Sequence, residues 1–316
     1  MTASPLILVT VPINDAHRQR ILSAAGDCPV IFGQPGEIPP EKWREAHILF
    51  GNAPKDFLKN APRLKWMQLN SAGADAYVAP GILPDDALLT TAVGAYGLSV
   101  SEHMLTMLMS MNRHFPQYEI NQTQGLWKEE GQVRSIEGSV ILCLGCGNIG
   151  GDFARKVKAL GAYTIGVRRN VGNCPDYFDE MHPFSALDEL LPRADVAAIS
   201  LPLTPETKHL LNEKRLMLMK KDATILNIGR GPIVDTEALL KVMGQGRLFA
   251  CLDVTDPEPL PPDHPLWTQD RVLITPHVAG RFFLPETLNR IVGIFCDNLK
   301  AYLAGQSLRN IMPHGK

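Results

Sequence analysis

Little in this chain is in excess. Its 31 Lys+Arg stand against 33 Asp+Glu, a net charge of −2, so no chain-wide positive field draws in nucleic acid or an anionic membrane. Long apolar runs are also missing. Stretches such as residues 140–144 fall far short of the roughly 20 residues that cross a bilayer, so no membrane partner is expected. The opening Met-Thr-Ala-Ser-Pro has no basic n-region, and the apolar run at 6–9 is too short for a signal peptide but suits a first strand. A cytoplasmic location is therefore expected. Cysteine is sparse, 6 in 316 residues, and Cys143 and Cys251 sit in strand-like runs where a thiol behaves as a small buried apolar group. Cys143 and Cys146 have the Cys-x-x-Cys spacing of a redox pair, but a buried strand running into a glycine loop accounts for them better. There is no internal repeat of fixed period, no low-complexity tract and no metal-ligand cluster to single out.

What is present is an ordinary globular composition, 45% hydrophobic and 20% charged with Gly and Pro scattered, which excludes disorder as the main state. At roughly 150 residues per domain, the length suggests two domains. Short apolar runs alternate with helix-length amphipathic stretches, the pattern of βα units and parallel sheets. The first series has strands expected at 6–10, 30–32, 47–50, 66–69 and 88–91, with helices at 15–25 and 54–60. Ser101 and Glu102 then open an apolar helix over 103–111, whose Met104, Met107, Met109 and Met111 suit helix core or an interface. A longer series follows, with strands expected at 140–144, 163–167, 196–200, 224–228, 249–254 and 272–275, and a final helix at 284–303.

The strand at 140–144 runs directly into Gly145-Cys146-Gly147-Asn148-Ile149-Gly150, and 152–160 has helical spacing. In that context the first glycine permits the tight turn, the second lets the backbone approach a pyrophosphate, and the third allows close helix–strand packing. The loop therefore predicts dinucleotide binding; an ordinary glycine turn is the alternative. NAD would call for a carboxylate at the end of the next strand to hold the ribose 2′-hydroxyl. Here that strand ends in Arg168-Arg169-Asn170, and the nearest acids, Asp176 and Asp179, lie well beyond it. Two forked cations suit a 2′-phosphate, so NADP(H) is favoured over NAD(H), with two solvated surface arginines as the alternative. The same absence of an acid counts against a methyltransferase.

Three later strands each end in a distinct polar group: Gly229-Arg230-Gly231, then Thr255-Asp256-Pro257-Glu258-Pro259, then Pro276-His277. In an open parallel sheet the carboxyl ends of the strands face the ligand crevice, so the three can converge. Singly, Arg230 can be a surface loop residue, Glu258 a charge in a Pro-rich turn and His277 a structural histidine.

Taken together, Asn227-Ile228-Gly229-Arg230-Gly231, Asp253 with Glu258-Pro259-Leu260, and Thr275-Pro276-His277 resemble the signature of the D-isomer-specific 2-hydroxyacid dehydrogenases, in a form leaning to NADP and similar to the glyoxylate/hydroxypyruvate reductases. Ser99-Val100-Ser101-Glu102-His103 and Leu201-Pro202-Leu203-Thr204-Pro205-Glu206-Thr207 match as well, so the resemblance spans nearly the whole chain. It implies hydride transfer between NADP(H), or NAD(H), and a small 2-keto or D-2-hydroxy acid. Arg230 would bind the substrate carboxylate and polarise the carbonyl, His277 would exchange the proton, and Glu258 would orient the imidazole. Ala72 and Gly73 would hold the carboxylate through backbone N–H groups. Asp253 would accept from the nicotinamide amide, Val100 would line that pocket, and Asn148 and Ile149 would cover the pyrophosphate. Leu201, Pro202, Thr207, Ile228, Gly229 and Ala279 complete the implied cofactor set. Arg168 stands where the commoner pattern has Asp, which puts NAD in doubt but not the fold.

The resemblance further implies an α/β architecture of a Rossmann-type doubly wound cofactor domain, 98–285, and a smaller flavodoxin-like α/β substrate domain, 1–97 with 286–316, joined by hinges near Leu98 and Pro285. Substrate would lie in a cleft that closes and excludes water. Such proteins are usually homodimers, with the linking-helix region at the interface. A non-catalytic NAD(P)-responsive corepressor-like protein on the same fold, retaining the same Arg, Glu and His, is the other reading. Candidate selectors of the substrate side chain are Gly51, Asn52, Tyr96, Phe282 and Phe283.

Overall fold

The computed structural model describes residues 4–315; residues 1–3, on which the N-terminal reading partly rests, lie outside the described residues. The chain divides into two compact units, Met1–Tyr96 with Phe282–Lys316, and Gly97–Arg281.

The first unit opens β1 (Leu6–Val9), α1 (Asp15–Ala25), β2 (Val30–Phe32), α2 (Pro40–Glu45), β3 (Ala46–Phe50), α3 (Lys55–Leu58), β4 (Trp66–Gln68) and β5 (Leu88–Thr90). Its five strands are parallel in the order β2-β1-β3-β4-β5, the flavodoxin-like arrangement. β1 is buried at every position, as a strand covered on both faces must be. One face holds a core that includes Leu8, Trp43, Leu49 and Met67. The chain's last helix, Pro285–Leu303, also belongs to this unit and is α10 in chain order.

The second unit holds α4 (Gly97–Asn112), α5 (Phe115–Thr123), β6 (Val140–Leu144), α6 (Asn148–Ala159), β7 (Tyr163–Val167), β8 (Glu180–His182), α7 (Leu187–Leu190), β9 (Val196–Ile199), α8 (Glu213–Leu218), β10 (Ala223–Asn227), α9 (Thr236–Met243), β11 (Leu248–Leu252) and β12 (Val272–Ile274). Its seven strands are all parallel in the order β12-β11-β10-β9-β6-β7-β8, a doubly wound Rossmann-type sheet that reverses direction between β6 and β9. Every strand therefore ends on the same edge, and that edge carries each polar group singled out above.

α10 (Pro285–Leu303) buries Thr287, Ile291, Phe295 and Asn298, one stripe at helical spacing. Phe295 stacks on Phe50 with ring centroids 4.1 Å apart, and Trp66 lies beside it at 5.5 Å. The buried Asn298 amide donates to Gln68 Oε1 at 2.9 Å, and Thr90 Oγ1 donates to the same oxygen at 2.7 Å. A helix 230 residues away in sequence is thus tied to β4 by a satisfied polar network inside apolar packing.

Several boundaries differ from the sequence reading. α4 begins at Gly97, ahead of the expected Ser101, because Leu98, Ser99 and Val100 include no Gly or Pro to keep the helix from extending toward its N-terminus. α6 begins at Asn148 and takes in Gly150, which a reading keyed to apolar spacing left in the loop. β8 was not expected at all: it is a three-residue edge strand with one apolar side chain, too short to show a period. Of the methionine stripe, Met104, Met107 and Met111 are buried and Met109 is exposed.

Candidate active site

The glycine loop follows β6 at the switch point. Gly145 has φ +102°, and a Cβ there would press on Ser200 at 3.0–3.1 Å, so the turn requires glycine. At Gly150 a Cβ would lie 1.9 Å from the Gly145 carbonyl oxygen. Gly147 is different: nothing of the chain lies within 4 Å of where its Cβ would be. It caps α6 without a side chain, and the first helical bond runs from Gly151 N to Gly147 O at 2.8 Å. Among the described residues, the N–H groups of Asn148, Ile149 and Gly150 find no acceptor. Orphaned donors at a helix N-terminus, beside a surface kept clear of side chains, fit a pyrophosphate.

The thiol beside this loop is not redox-poised. Cys146 donates to Val167 O at 3.5 Å, and burial pushes its pKa up to about 11. Burial pushes Cys143 up as well. A Cys-x-x-Cys redox site requires the opposite shift.

After β7, Arg168 folds onto its own loop and donates from Nη2 to Asn173 O at 2.8 Å, with its Nε buried and unpartnered. Arg169 is exposed, 4.0 Å from Glu206. Asp179 lies at the opposite end of β7, where its carboxylate accepts from Thr164 N and Oγ1 and from Lys158. It does not reach the ribose end of the strand. After β9, the buried Leu201 leads into a loop closed by Thr207, whose hydroxyl donates to Pro202 O at 2.8 Å and accepts from Thr204 N.

β10 delivers Arg230 between two glycines that packing demands. A Cβ on Gly229 would meet Leu201 O at 2.6 Å, and one on Gly231 would meet Thr255 O at 1.9 Å. Asn227, buried at the strand's end, closes the loop from both sides, accepting from Gly229 N and donating to Arg230 O, each at 3.0 Å. Arg230 Nη1 donates to Gly229 O at 2.7 Å, and Ile228 is buried beneath.

The loops after β11 and β12 bring a carboxylate and an imidazole together. His277 Nδ1 lies 2.6 Å from Glu258 Oε1. An ionised carboxylate only accepts, so the shared proton sits on Nδ1 and leaves Nε2 to exchange a proton elsewhere. His277 has φ 52°, an uncommon left-handed conformation for a side chain of its size. Asp253 holds that turn. Buried at 2% exposure, its carboxylate accepts from Thr275 Oγ1 at 2.6 Å, Val278 N at 2.9 Å and Ala279 N at 3.1 Å, while its carbonyl accepts from His277 N at 2.8 Å. His103 Nε2 reaches Thr275 Oγ1 at 3.0 Å, and Ser99 Oγ donates to Ala279 O at 3.1 Å, with Val100 buried between them in sequence. The sequence reading missed the anchoring parts of Thr275, Asn227 and His103. The motifs contained all three: the partners of Thr275 and His103 lie far off in sequence, while Asn227 closes its own loop through Gly229 and Arg230. Asp253, Glu258 and His277 line one cavity of about 510 Å³.

In the first unit, Ala72 and Gly73 sit in a loop tied by Ser71 Oγ donating to Gly73 O at 2.6 Å. Their own N–H groups have no acceptor among the described residues. Asn52 braces the same loop by donating to Ser71 Oγ and accepting from Asn70 N, both at 3.0 Å, and the buried Tyr96 donates to Asn70 O. Gly51 packs on Thr10, Phe282 is half-buried and Phe283 is exposed. Among the described residues no group of His, Cys, Asp and Glu is arranged to hold a metal, and no helix is long and apolar enough to cross a membrane.

Residues 105–279 match the model of the D-isomer specific 2-hydroxyacid dehydrogenase NAD binding domain. The glyoxylate/hydroxypyruvate reductase B of Pectobacterium atrosepticum is 32% identical over 82% of this chain and 82% of its own length. Two crystal structures superpose over 98% of this chain. One is a D-isomer specific 2-hydroxyacid dehydrogenase family protein of Aeromonas salmonicida, at TM-score 0.87, 32% identity and 99% of its own chain. The other is a D-isomer specific 2-hydroxyacid dehydrogenase of Xanthobacter autotrophicus in complex with NADPH and MES, at TM-score 0.81, 28% identity and 98% of its own chain. With its doubly wound sheet, its glycine loop at the switch point and its paired Glu258 and His277, this chain belongs to the D-isomer specific 2-hydroxyacid dehydrogenases, enzymes that use NAD or NADP on small 2-hydroxy and 2-keto acids.

Proposed function

We propose that this enzyme reduces small 2-keto acids, glyoxylate and hydroxypyruvate among them, to D-2-hydroxy acids, and that it prefers NADP(H) to NAD(H). The observation that carries the reading is the 2.6 Å contact between His277 and Glu258 at the edge of a cavity large enough for a small ligand. When bound, the reduced nicotinamide supplies the hydride. Arg230 holds the substrate carboxylate with its forked donors, and Ala72 and Gly73 keep their reading as carboxylate donors on the unit we take as the substrate domain. His277 gives its Nε2 proton to the carbonyl oxygen as the hydride adds to carbon, and Glu258 stabilises the imidazolium that this requires. Asp253 keeps His277 in its left-handed turn and has a lone pair left on Oδ2 for the nicotinamide amide.

The NADP preference rests on Arg168 and Arg169 following β7 and on the removal of Asp179 to the other end of that strand. NADPH in the Xanthobacter relative supports it, and the name of the Pectobacterium relative supports the substrates. We also read the chain as a homodimer, because Phe115, Ile120, Leu126 and Trp127 expose apolar surface on and after α5. Sedimentation of the purified protein tests that point. Initial rates with glyoxylate, hydroxypyruvate, pyruvate and phenylpyruvate, each with NADPH and NADH, test the main one. Turnover with at least one acid is expected, faster with NADPH, and R168D should shift preference toward NADH. Cofactor binding without turnover of any acid defeats the reductase reading; an unchanged preference in R168D defeats the phosphate assignment.

A further inference from the structure

The cavity beside His277 is lined by four charged or titratable side chains: Asp253, Glu258, His277 and Arg281. Three of them are already engaged. Asp253 takes three donors, and Glu258 and His277 hold each other. Arg281 is the exception: it is exposed, and among the described residues its guanidinium has no carboxylate and no hydrogen-bond acceptor. Its backbone is nonetheless placed. Arg281 N donates to Val278 O at 3.2 Å, and Val278 and Ala279 are pinned by Asp253, so the cation sits at a set distance along the chain from the acid–base histidine.

Much of the remaining lining is apolar. Pro259, Leu260, Ile274 and Trp267 form that part, and the indole of Trp267 is held by its Nε1 donating to Pro261 O at 2.8 Å. Arg230 does not line this cavity. A two- or three-carbon 2-keto acid offers one carboxylate and no group to occupy the remaining space. A longer or phosphorylated one offers a second anion.

We propose that Arg281 is a specificity residue that binds a second, distal oxyanion of the substrate, so that the preferred substrates are dianionic 2-keto acids carrying a carboxylate or a phosphate beyond C3. This rests on the 2-keto acid reductase reading and narrows its substrate class. The planar fork of arginine matches either oxyanion, and both can be supplied separately.

The test compares initial rates with NADPH for oxaloacetate and 2-oxoglutarate, for 3-phosphohydroxypyruvate, and for pyruvate and hydroxypyruvate, in the wild type and in R281Q and R281K. At least one dianionic acid is expected to exceed the monoanionic acids in kcat/KM about tenfold. R281Q should lower that value about tenfold to a hundredfold, the worth of one charge-assisted contact, and leave pyruvate within about twofold. R281K should recover part of the loss, and whether oxaloacetate or phosphohydroxypyruvate responds more identifies the oxyanion. Equal losses on monoanionic and dianionic acids in R281Q, or no dianionic preference in the wild type, overturn the proposal while leaving the reductase reading intact. No turnover of any keto acid by protein that still binds NADPH overturns the reductase reading and this one with it.

Discussion

Two glycines of one loop, three residues apart, make opposite demands, and alanine at each separates cofactor binding from stability. Gly147 has φ −76° and ψ −159°, a region open to alanine, and its added Cβ would touch nothing in the chain within 4 Å. G147A should therefore stay within about 0.5 kcal/mol of wild-type stability. Its methyl group, however, would occupy the surface over which the pyrophosphate must approach the free N–H groups of Asn148, Ile149 and Gly150. Losing one charge-assisted hydrogen bond costs about 1.5–3 kcal/mol, so the cofactor Kd should rise about tenfold to a hundredfold. At Gly150 the balance reverses. Alanine gains about 1 kcal/mol of helix propensity, but its Cβ would lie 1.9 Å from Gly145 O and 2.9 Å from Ser200 Oγ. Relieving that overlap means moving backbone at the switch point, and overpacking of this kind costs about 1–3 kcal/mol or more. Urea unfolding measures the first quantity, and titration calorimetry with NADPH measures the second. If G147A binds cofactor like the wild type, or loses as much stability as G150A, the assignment of Gly147 to the pyrophosphate is wrong.

Replacing Glu258 by Gln keeps an acceptor for His277 Nδ1 but removes the charge that supports the imidazolium; with both side chains more than two-fifths exposed, the thermal midpoint should hold while kcat falls about tenfold to a hundredfold. An E258Q enzyme with wild-type kcat would refute the pairing's role. D253N turns an amide donor toward Thr275, Val278 or Ala279, all of which donate, so it should lose about 1–3 kcal/mol in urea unfolding together with most of its turnover, because the turn carrying His277 loses its anchor. Stability with activity unchanged would show the anchor to be dispensable. Glu180 is held down to about 2 from its ordinary 4.5, first by hydrogen bonding to Arg193 and then to His182 and Tyr163. Its contribution is complete above pH 4.5 and lost as pH falls toward 2. E180Q should accordingly cost about 1 kcal/mol at pH 6, discounted for partial exposure, and the gap between mutant and wild type should close near pH 2 in urea titrations.

The parts of the site that were legible beforehand are those written in consecutive residues. Gly145 and Gly150 meet demands set by the turn and the strand next to it, Gly147 leaves the surface beside the helix N-terminus clear, and the strand-end groups Arg230, Glu258 and His277 follow runs of apolar residues that mark the strands plainly. What was not legible depends on partners from elsewhere. Asp253 reads locally as one acid in a strand end, yet its carboxylate serves residues 275, 278 and 279. His103 reads as a polar residue in an apolar helix and is found on Thr275. Arg281 follows His277 by four residues, and only the folded chain shows that it lines the cavity beside that histidine with no carboxylate spent on it.

Short apolar runs alternating with amphipathic stretches, and strands ending in polar groups, already determined that this is an α/β protein with parallel sheets whose strand ends carry the chemistry-bearing residues, because composition and period are properties of the local chain. Which sheet α10 covers is of another kind. Its stripe of Ile291, Phe295 and Asn298 would suit many apolar surfaces, and it is Phe50, Trp66 and Gln68 that complete it. Complementary shape and a satisfied buried amide exist only once both partners are folded, so that pairing, like the fixing of His277 by Asp253, was decided by the tertiary structure.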